Sequence, residues 1–212
     1  MKLKTRILFA IPCLAAFLAV TGAAHASTFT GSVWENATSY PNSLPANTSG
    51  LGTPSATFSV DGINFNSSNT ANGYTVGGFL TTGGNTVTNQ SASFAGIAGD
   101  TLNNTIYEFT GFTDLVAGQT YEVTHDDGAI LYIDGVAVIN AGAPTSAEVS
   151  SFVASATGTF SVDLLYAEVN GAPGVLTSDL VAATPTPEPS SIILLGSGLV
   201  GMAGLVRRRM GV

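Results

Sequence analysis

The densest group of chemistry-bearing side chains lies in Tyr121-Glu122-Val123-Thr124-His125-Asp126-Asp127-Gly128-Ala129-Ile130-Leu131-Tyr132-Ile133-Asp134-Gly135. Asp126 and Asp127 are adjacent carboxylates, and a turn would add main-chain carbonyls. Hard oxygens of this kind suit Ca²⁺, which takes about six to eight of them. The two carboxylates converge on one ion only if the peptide between them departs from the usual geometry. Asn140 and Asn170 carry further amide oxygens, although no motif assigns them a role. A second reading fits the same residues: Asp-Asp-Gly also makes a good hairpin turn in which Asp accepts main-chain N–H groups. Asp134-Gly135 reads as a turn alone. His125 is the one histidine beyond the leader, and without cysteines it cannot build a zinc site, so it reads as a strand residue. Trp34 reads as a packing residue rather than a sugar-stacking platform.

The rest of the chain narrows the chemistry. All six basic residues stand at the ends, as Lys2, Lys4, Arg6, Arg207, Arg208 and Arg209, whereas thirteen of the fourteen acids lie between Ser27 and Ala183. A span without Lys or Arg cannot displace counterions from nucleic acid or anionic lipid; its natural partners are cations and neutral molecules such as sugars. The single cysteine, Cys13, falls in the leader, so the middle has no disulfide, thiol nucleophile or thiolate metal site. There is no phosphate loop with Lys. The catalytic chemistry left is a carboxylate pair, as in glycoside hydrolysis, and one Trp among thirteen acids is a poor sugar cleft.

Both ends read as targeting segments. Lys2, Lys4 and Arg6 precede the apolar run Ile7 to Val20, and Ala24-His25-Ala26 supplies a small-x-small pattern. That is a secretory signal peptide over 1–26, cut between Ala26 and Ser27 by signal peptidase. At the other end, 184–212, a proline-rich linker containing Pro187-Glu188-Pro189 leads into Ile192 to Val206, fifteen residues without a charge, and then Arg207 to Arg209. As a transmembrane helix this run is short, about 22 Å at about 1.5 Å per residue against about 30 Å of hydrocarbon. Gly196, Gly198, Gly201 and Gly204 weaken it further. The motif, the short apolar segment and the arginine cluster, in that order, resemble the PEP-CTERM sorting signal. The resemblance implies processing by an exosortase near Pro187-Glu188-Pro189, in a Gram-negative bacterium that makes exopolysaccharide. Membrane contact would then involve only the terminal segments, before processing.

The middle, 27–183, alternates with the period of half-buried strands. Phe160, Val162, Leu164 and Tyr166 face one way, and Tyr121, Val123 and His125 do the same in their own segment. Asp61-Gly62 and Asp134-Gly135 each predict a hairpin, the first joining Phe58 and Val60 to Ile63 and Phe65. Further strands are expected near 29–34, 74–80, 106–112, 149–154 and 175–180, and loops over 40–52 and 83–89. Many short strands with Gly, Asn and Ser turns argue an all-β fold, an antiparallel β-sandwich.

Within it, residues 107–180 resemble the PA14 domain, a β-sandwich of adhesins, glycosidases and toxins. The match rests on a strand, Asp126-Asp127-Gly128, a short apolar strand and Asp134-Gly135, then on Phe160 to Glu168 followed by Gly171 and Ala172. In calcium-dependent lectins of that family the paired aspartates chelate Ca²⁺ that bridges to sugar hydroxyls, and the matching positions are Asp126 and Asp127. The implied function is an exported, non-catalytic, carbohydrate-binding or adhesive module of an exopolysaccharide matrix. The alternatives are a structural matrix protein without a ligand and, behind both, a glycoside hydrolase.

Overall fold

The computed structural model describes residues 27–35, 43–68, 74–184 and 197–198. The signal-peptide reading of 1–26, the motif Pro187-Glu188-Pro189 and the arginines Arg207 to Arg209 lie outside these residues. So does the apolar run 192–206, apart from helical residues 197 and 198. Among the described residues no helix is long and apolar enough to cross a membrane. Residues 26–184 form one compact unit.

The unit 26–184 is an antiparallel β-sandwich. Its strands are β1 (Phe29–Trp34), β2 (Ala56–Val60), β3 (Gly62–Asn66), β4 (Val87–Thr88), β5 (Thr105–Leu115), β6 (Thr120–Asp126), β7 (Gly128–Ile133), β8 (Val136–Ala141), β9 (Glu148–Val153), β10 (Gly158–Glu168) and β11 (Val175–Val181). One sheet has seven strands in the order β4-β2-β1-β5-β10-β7-β8; the other has four, β3-β11-β6-β9. The expected alternation is what builds the core. Phe29 and Val33, Tyr107 and Phe109, and Val162, Leu164 and Tyr166 face inward from the large sheet. Ile63, Phe65, Val123 and Leu176 meet them from the small one. Phe65 stacks on Phe109 with centroids 5.6 Å apart, and Phe79 stacks on Tyr166 at 5.8 Å. Truncating such a buried ring to Ala costs about 3–5 kcal/mol.

Two expectations are corrected. Asp61 does not turn a hairpin: β2 pairs with β1 and β4, whereas β3 pairs with β11. The chain crosses from one sheet to the other at this corner, which Asp61 secures by accepting the Thr86 N–H at 2.8 Å. Val60 and Ile63 can both be buried because the two sheets share one core. Residues 74–80 do not form a strand. Val76–Leu80 is a helical turn, α1, whose Thr75 hydroxyl accepts the Gly78 N–H at 3.1 Å and whose Val76, Phe79 and Leu80 plug the core. The 83–89 loop also contributes the short β4. The Asp134-Gly135 hairpin stands as expected: both residues have positive φ, +47° and +75°, in a two-residue turn between paired Ile133 and Val136.

Outside the large sheet, residues 43–55 cover a smaller cluster of Trp34, Leu44, Ile106, Ile130, Leu165 and Ala167. Trp34 is 6 % exposed and donates its indole N–H to the Gly52 carbonyl at 3.1 Å, so it packs and offers no sugar platform.

Candidate functional site

Asp126 ends β6 in the small sheet and Gly128 begins β7 in the large one. The Asp-Asp-Gly segment is therefore a corner between sheets and not a hairpin turn. The Asp126–Asp127 peptide is cis. Gly128 has no room for a side chain: a Cβ there would lie 2.6 Å from the Gly142 carbonyl oxygen and 2.7 Å from its carbon.

The two aspartates have different surroundings. Asp127 is 3 % exposed, and its carboxylate is taken up by main-chain donors. Oδ1 accepts the Thr145 N–H at 3.1 Å, while Oδ2 accepts those of Val169 at 2.8 Å and Asn170 at 3.3 Å. It thereby ties the β8–β9 and β10–β11 loops to the corner. The Asp126 carboxyl is partly open. Burial, and after it the charge of Asp127, raises its pKa, against a main-chain donor at Ala147.

His125 is fully buried. Its Nδ1 lies 2.6 Å from the Asp127 carbonyl, which can only accept, so the proton sits on Nδ1. Nε2 lies 2.9 Å from the Ser150 hydroxyl and 3.7 Å from Glu148. Both ring nitrogens are thus engaged in holding the corner against β9, the role expected of a strand histidine. Asp134 ties its hairpin to the neighbouring strand β10, accepting the Ser161 N–H and hydroxyl at 2.8 and 2.9 Å. Asn140 pairs with Ile130, whose side chain belongs to the outer cluster, and so faces away from the corner. Asn170 stands at the corner through its main chain, with its side chain exposed.

Behind the corner lies a group that the sequence reading missed. Glu168 is 1 % exposed. Its Oε2 lies 3.1 Å from the Tyr166 hydroxyl, and its Oε1 has no hydrogen-bond partner. The Tyr166 hydroxyl also bonds the Asp126 carbonyl. A phenol has one proton and a carbonyl can only accept, so with that proton on Asp126 the contact to Glu168 is completed by a proton from the acid. The electrostatics agree: burial first, then the charge of Asp127, pushes Glu168 up to about 9. The signal was present in the sequence, since 160, 162, 164 and 166 face inward and 168 continues that parity.

These side chains fit Ca²⁺ in a limited way. Asp126 supplies the open carboxylate. A carboxylate offers about four lone-pair sites, and Asp127 spends three on N–H groups. Among the described residues no three histidine, cysteine or acidic side chains converge closely enough to hold a metal. An ion held by Asp126 and Asp127 would take its remaining oxygens from loop carbonyls and water.

Comparison with known proteins matches both halves of this description. Residues 185–209 match the PEP-CTERM protein-sorting motif, which marks an exported protein processed at the membrane. The sandwich has the PA14 fold. The PA14 domain of the antifreeze protein MpAFP is 23% identical, with a TM-score of 0.51, over 76% of this chain and 85% of that one. A PA14 sugar-binding domain from an RTX adhesin is 21% identical, with a TM-score of 0.51, over 73% of this chain and 89% of that one. No curated protein matches the chain.

Proposed function

We propose that this chain is an exported, non-catalytic module of the outer cell surface or extracellular matrix that binds neutral glycans through a Ca²⁺ ion at the Asp126–Asp127 corner. The observation that carries the reading is the division of labour between the aspartates: Asp127 fixes two loops around the corner, and Asp126 is left with a partly open carboxyl. Such an ion would present open coordination positions to vicinal sugar hydroxyls. The likeness to an adhesin's sugar-binding domain supports it, as does a domain without Lys or Arg, which suits neutral partners. Signal peptidase removes residues 1–26, and an exosortase processes the chain at Pro187-Glu188-Pro189 before release into an exopolysaccharide matrix of a Gram-negative bacterium. A glycoside hydrolase needs two carboxyl groups facing one sugar. Asp127 is committed to main-chain donors and Glu168 is buried, so the corner lacks that pair.

A glycan array probed with and without chelator tests this. Binding to neutral sugars that chelator abolishes is the expected result; binding to no glycan in either condition refutes the reading. The second reading, a structural matrix protein without a ligand, draws on the three N–H groups that already occupy Asp127.

A further inference from the structure

Register fixes the two ends of the sandwich. Thr105, where β5 begins, pairs with Glu168, next to Ala167 and its partner Gly128, so the Asp126–Asp127 corner belongs to this end. Leu115 closes β5 at the other end, up to about 34 Å away at about 3.4 Å per residue. At that far end the chain also leaves the unit. Thr113 forms an antiparallel bridge with Ala182, its hydroxyl donates to the Val181 carbonyl at 2.8 Å, and the Phe112 carbonyl accepts the Ala183 N–H at 2.7 Å. The described chain of the unit stops one residue later, at Thr184.

Exposed apolar side chains gather at this far end. Among the described residues seven large ones are exposed, and five of them stand here: Phe112, Val116, Val136, Val153 and Val181. Val136 follows the Asp134-Gly135 turn, whose Asp134 bonds Ser161, the partner of Phe112. Val153 pairs with Thr120 at the start of β6, and the Val116 carbonyl accepts the Gln119 N–H in the turn just before it. Thr113 is buried and Ala182 belongs to the core. Phe112 and Val181 therefore share the outer side of that bridge as diagonal neighbours. They are 61 % and 72 % exposed and flank the exit of the chain. Singly scattered apolar residues are ordinary on a surface, but a group at one end marks a contact.

What meets that surface follows from the sequence beyond Thr184. Seven residues, Pro185 to Ser191, separate it from the apolar run that starts at Ile192. A proline-rich chain spans about 3.1 Å per residue in its extended form, so this linker reaches about 22 Å. The sorting motif over 185–209 marks a chain processed at the membrane. With the apolar run in the bilayer, so short a tether keeps the far end beside the headgroups. The charges at this end select the lipid. Asp61, Asp114 and Asp134 stand there without a basic residue, which disfavours an anionic surface and suits a zwitterionic one. Each is tied to its own chain, by the Thr86 N–H, the Thr159 hydroxyl and Ser161 respectively.

We infer that this far end of the sandwich seats on a zwitterionic lipid surface while the chain is tethered, with Phe112 and Val181 as its central contacts, and that the Asp126–Asp127 corner then points away from the bilayer. The inference rests on the membrane-tethered stage of the sorting reading, and it extends membrane contact from the terminal segments to the domain itself. Interfacial binding strengthens with the apolar area buried, and one phenylalanine with four valines makes a small area. The seat therefore depends on the tether, which supplies a high local concentration. Cleavage by the exosortase removes the tether and releases the domain.

The test uses the full chain in phosphatidylcholine nanodiscs that carry a headgroup nitroxide lipid, read by amide resonances. Broadening is expected at Phe112, Val116, Val153 and Val181, and not at Thr145, Val169 and Asn170, whose donors rest on Asp127. The double variant Phe112→Ser/Val181→Ser, at two exposed positions, is expected to lose most of that broadening while staying in the nanodisc. Should that pair disturb β5, Val116→Ser/Val153→Ser serves in the same way. Broadening unchanged in both pairs would mean that the tether alone brings the domain near the lipid, and would overturn the seat. Equal broadening at the corner amides would overturn it too. A contact that forms only after exosortase is added would assign the surface to that enzyme and overturn the lipid contact. A chain that enters the nanodisc without broadening at the far end refutes the seat alone. A chain that does not enter it refutes the tethered stage itself, and the seat falls with it.

Discussion

The Tyr166 hydroxyl bridges the main-chain carbonyl of Asp126 and the carboxyl of Glu168. It therefore connects the corner where the chain changes sheets to an acid buried on the core face of β10. Glu168 is part of the wall behind the corner, and its proton is part of the fold.

The stability of the domain should fall as pH rises above the ordinary carboxylate range. Glu168 is pushed up to about 9, Glu35 to about 7 and Asp163 to about 6, with burial the leading cause for each. In the unfolded chain these acids lose their protons near 4.5, 4.5 and 3.8. Between each unfolded and folded value the native state holds a proton that the unfolded state has released, so raising pH favours unfolding. For one proton the slope is about 1.4 kcal/mol per pH unit. Melts in metal-free buffer are expected to show a lower Tm at pH 8 than at pH 5. Glu168→Gln, neutral at every pH, should flatten that dependence between about pH 5 and 8. A Tm that rises with pH over this interval would contradict a protonated Glu168.

Gly128→Ala should destabilise the fold by about 1–3 kcal/mol, the usual cost of overpacking. The added methyl meets the main chain of Gly142 at 2.6–2.7 Å, and a main chain cannot swing aside as a side chain does. Ala at Gly118, where a Cβ meets nothing within 4 Å, is the control for lost glycine; its φ of +81° makes it strained on its own account. Chemical denaturation of both variants checks the comparison. The clash predicts that Gly128→Ala also shifts the Thr145, Val169 and Asn170 amide resonances, whose donors rest on Asp127, whereas Gly118→Ala leaves them in place.

The sequence makes some of this legible and hides the rest for physical reasons. Alternation tells which residues face a core, and Phe160 to Tyr166 and Tyr121 to His125 do so as read. It does not tell which sheet a strand joins. Asp61-Gly62 and Asp126-Asp127 look like hairpin turns because strands of the same parity flank them, yet each is a corner where the chain crosses the core. Asp134-Gly135 differs in having positive φ at both positions, the conformation a two-residue hairpin requires. In α1 the spacing of Val76, Phe79 and Leu80 is the helical i, i+3, i+4 pattern, but over five residues with Gly77 and Gly78 it is too brief to stand out. The Asp126–Asp127 pair is visible because both residues are unusual. Glu168 is visible only as a break in a rule, an acid at a core-facing position.

Maturation is checked by mass. Intact-mass spectrometry of the exported protein is expected to show a start at Ser27 and loss of the segment beyond Pro187-Glu188-Pro189. In cells lacking the exosortase the chain should remain in the inner membrane. A secreted product that still carries Arg207 to Arg209 would remove the sorting reading.

Ca²⁺ should raise the melting temperature beyond what ionic screening achieves. A ligand that binds only the folded state stabilises it by about 2.7 kcal/mol when its free concentration is a hundredfold above its Kd. Any cation relieves repulsion among thirteen acids without basic partners, so NaCl alone should also stabilise the domain. Mg²⁺ at equal concentration controls for divalent screening; it prefers a tight octahedron and keeps its waters, and fills an irregular corner poorly. The informative substitution is Asp126→Asn, because Asp127 accepts three main-chain N–H groups and its replacement would loosen both loops whether or not an ion binds. Asp127→Ala is expected to cost about 3 kcal/mol or more for that reason alone, since hydrogen bonds to a charged group are worth about 1.5–3 kcal/mol each and do not simply add. Asp126→Asn, at a partly open carboxyl, should fold with near-wild-type stability in chelator. In calorimetry the wild type should show a saturable Ca²⁺ response above its Mg²⁺ response, and Asp126→Asn should lose a large part of that excess. Equal responses to the two ions, unchanged by Asp126→Asn, would leave Asp126 and Asp127 as a structural corner and put the ligand-free matrix reading first.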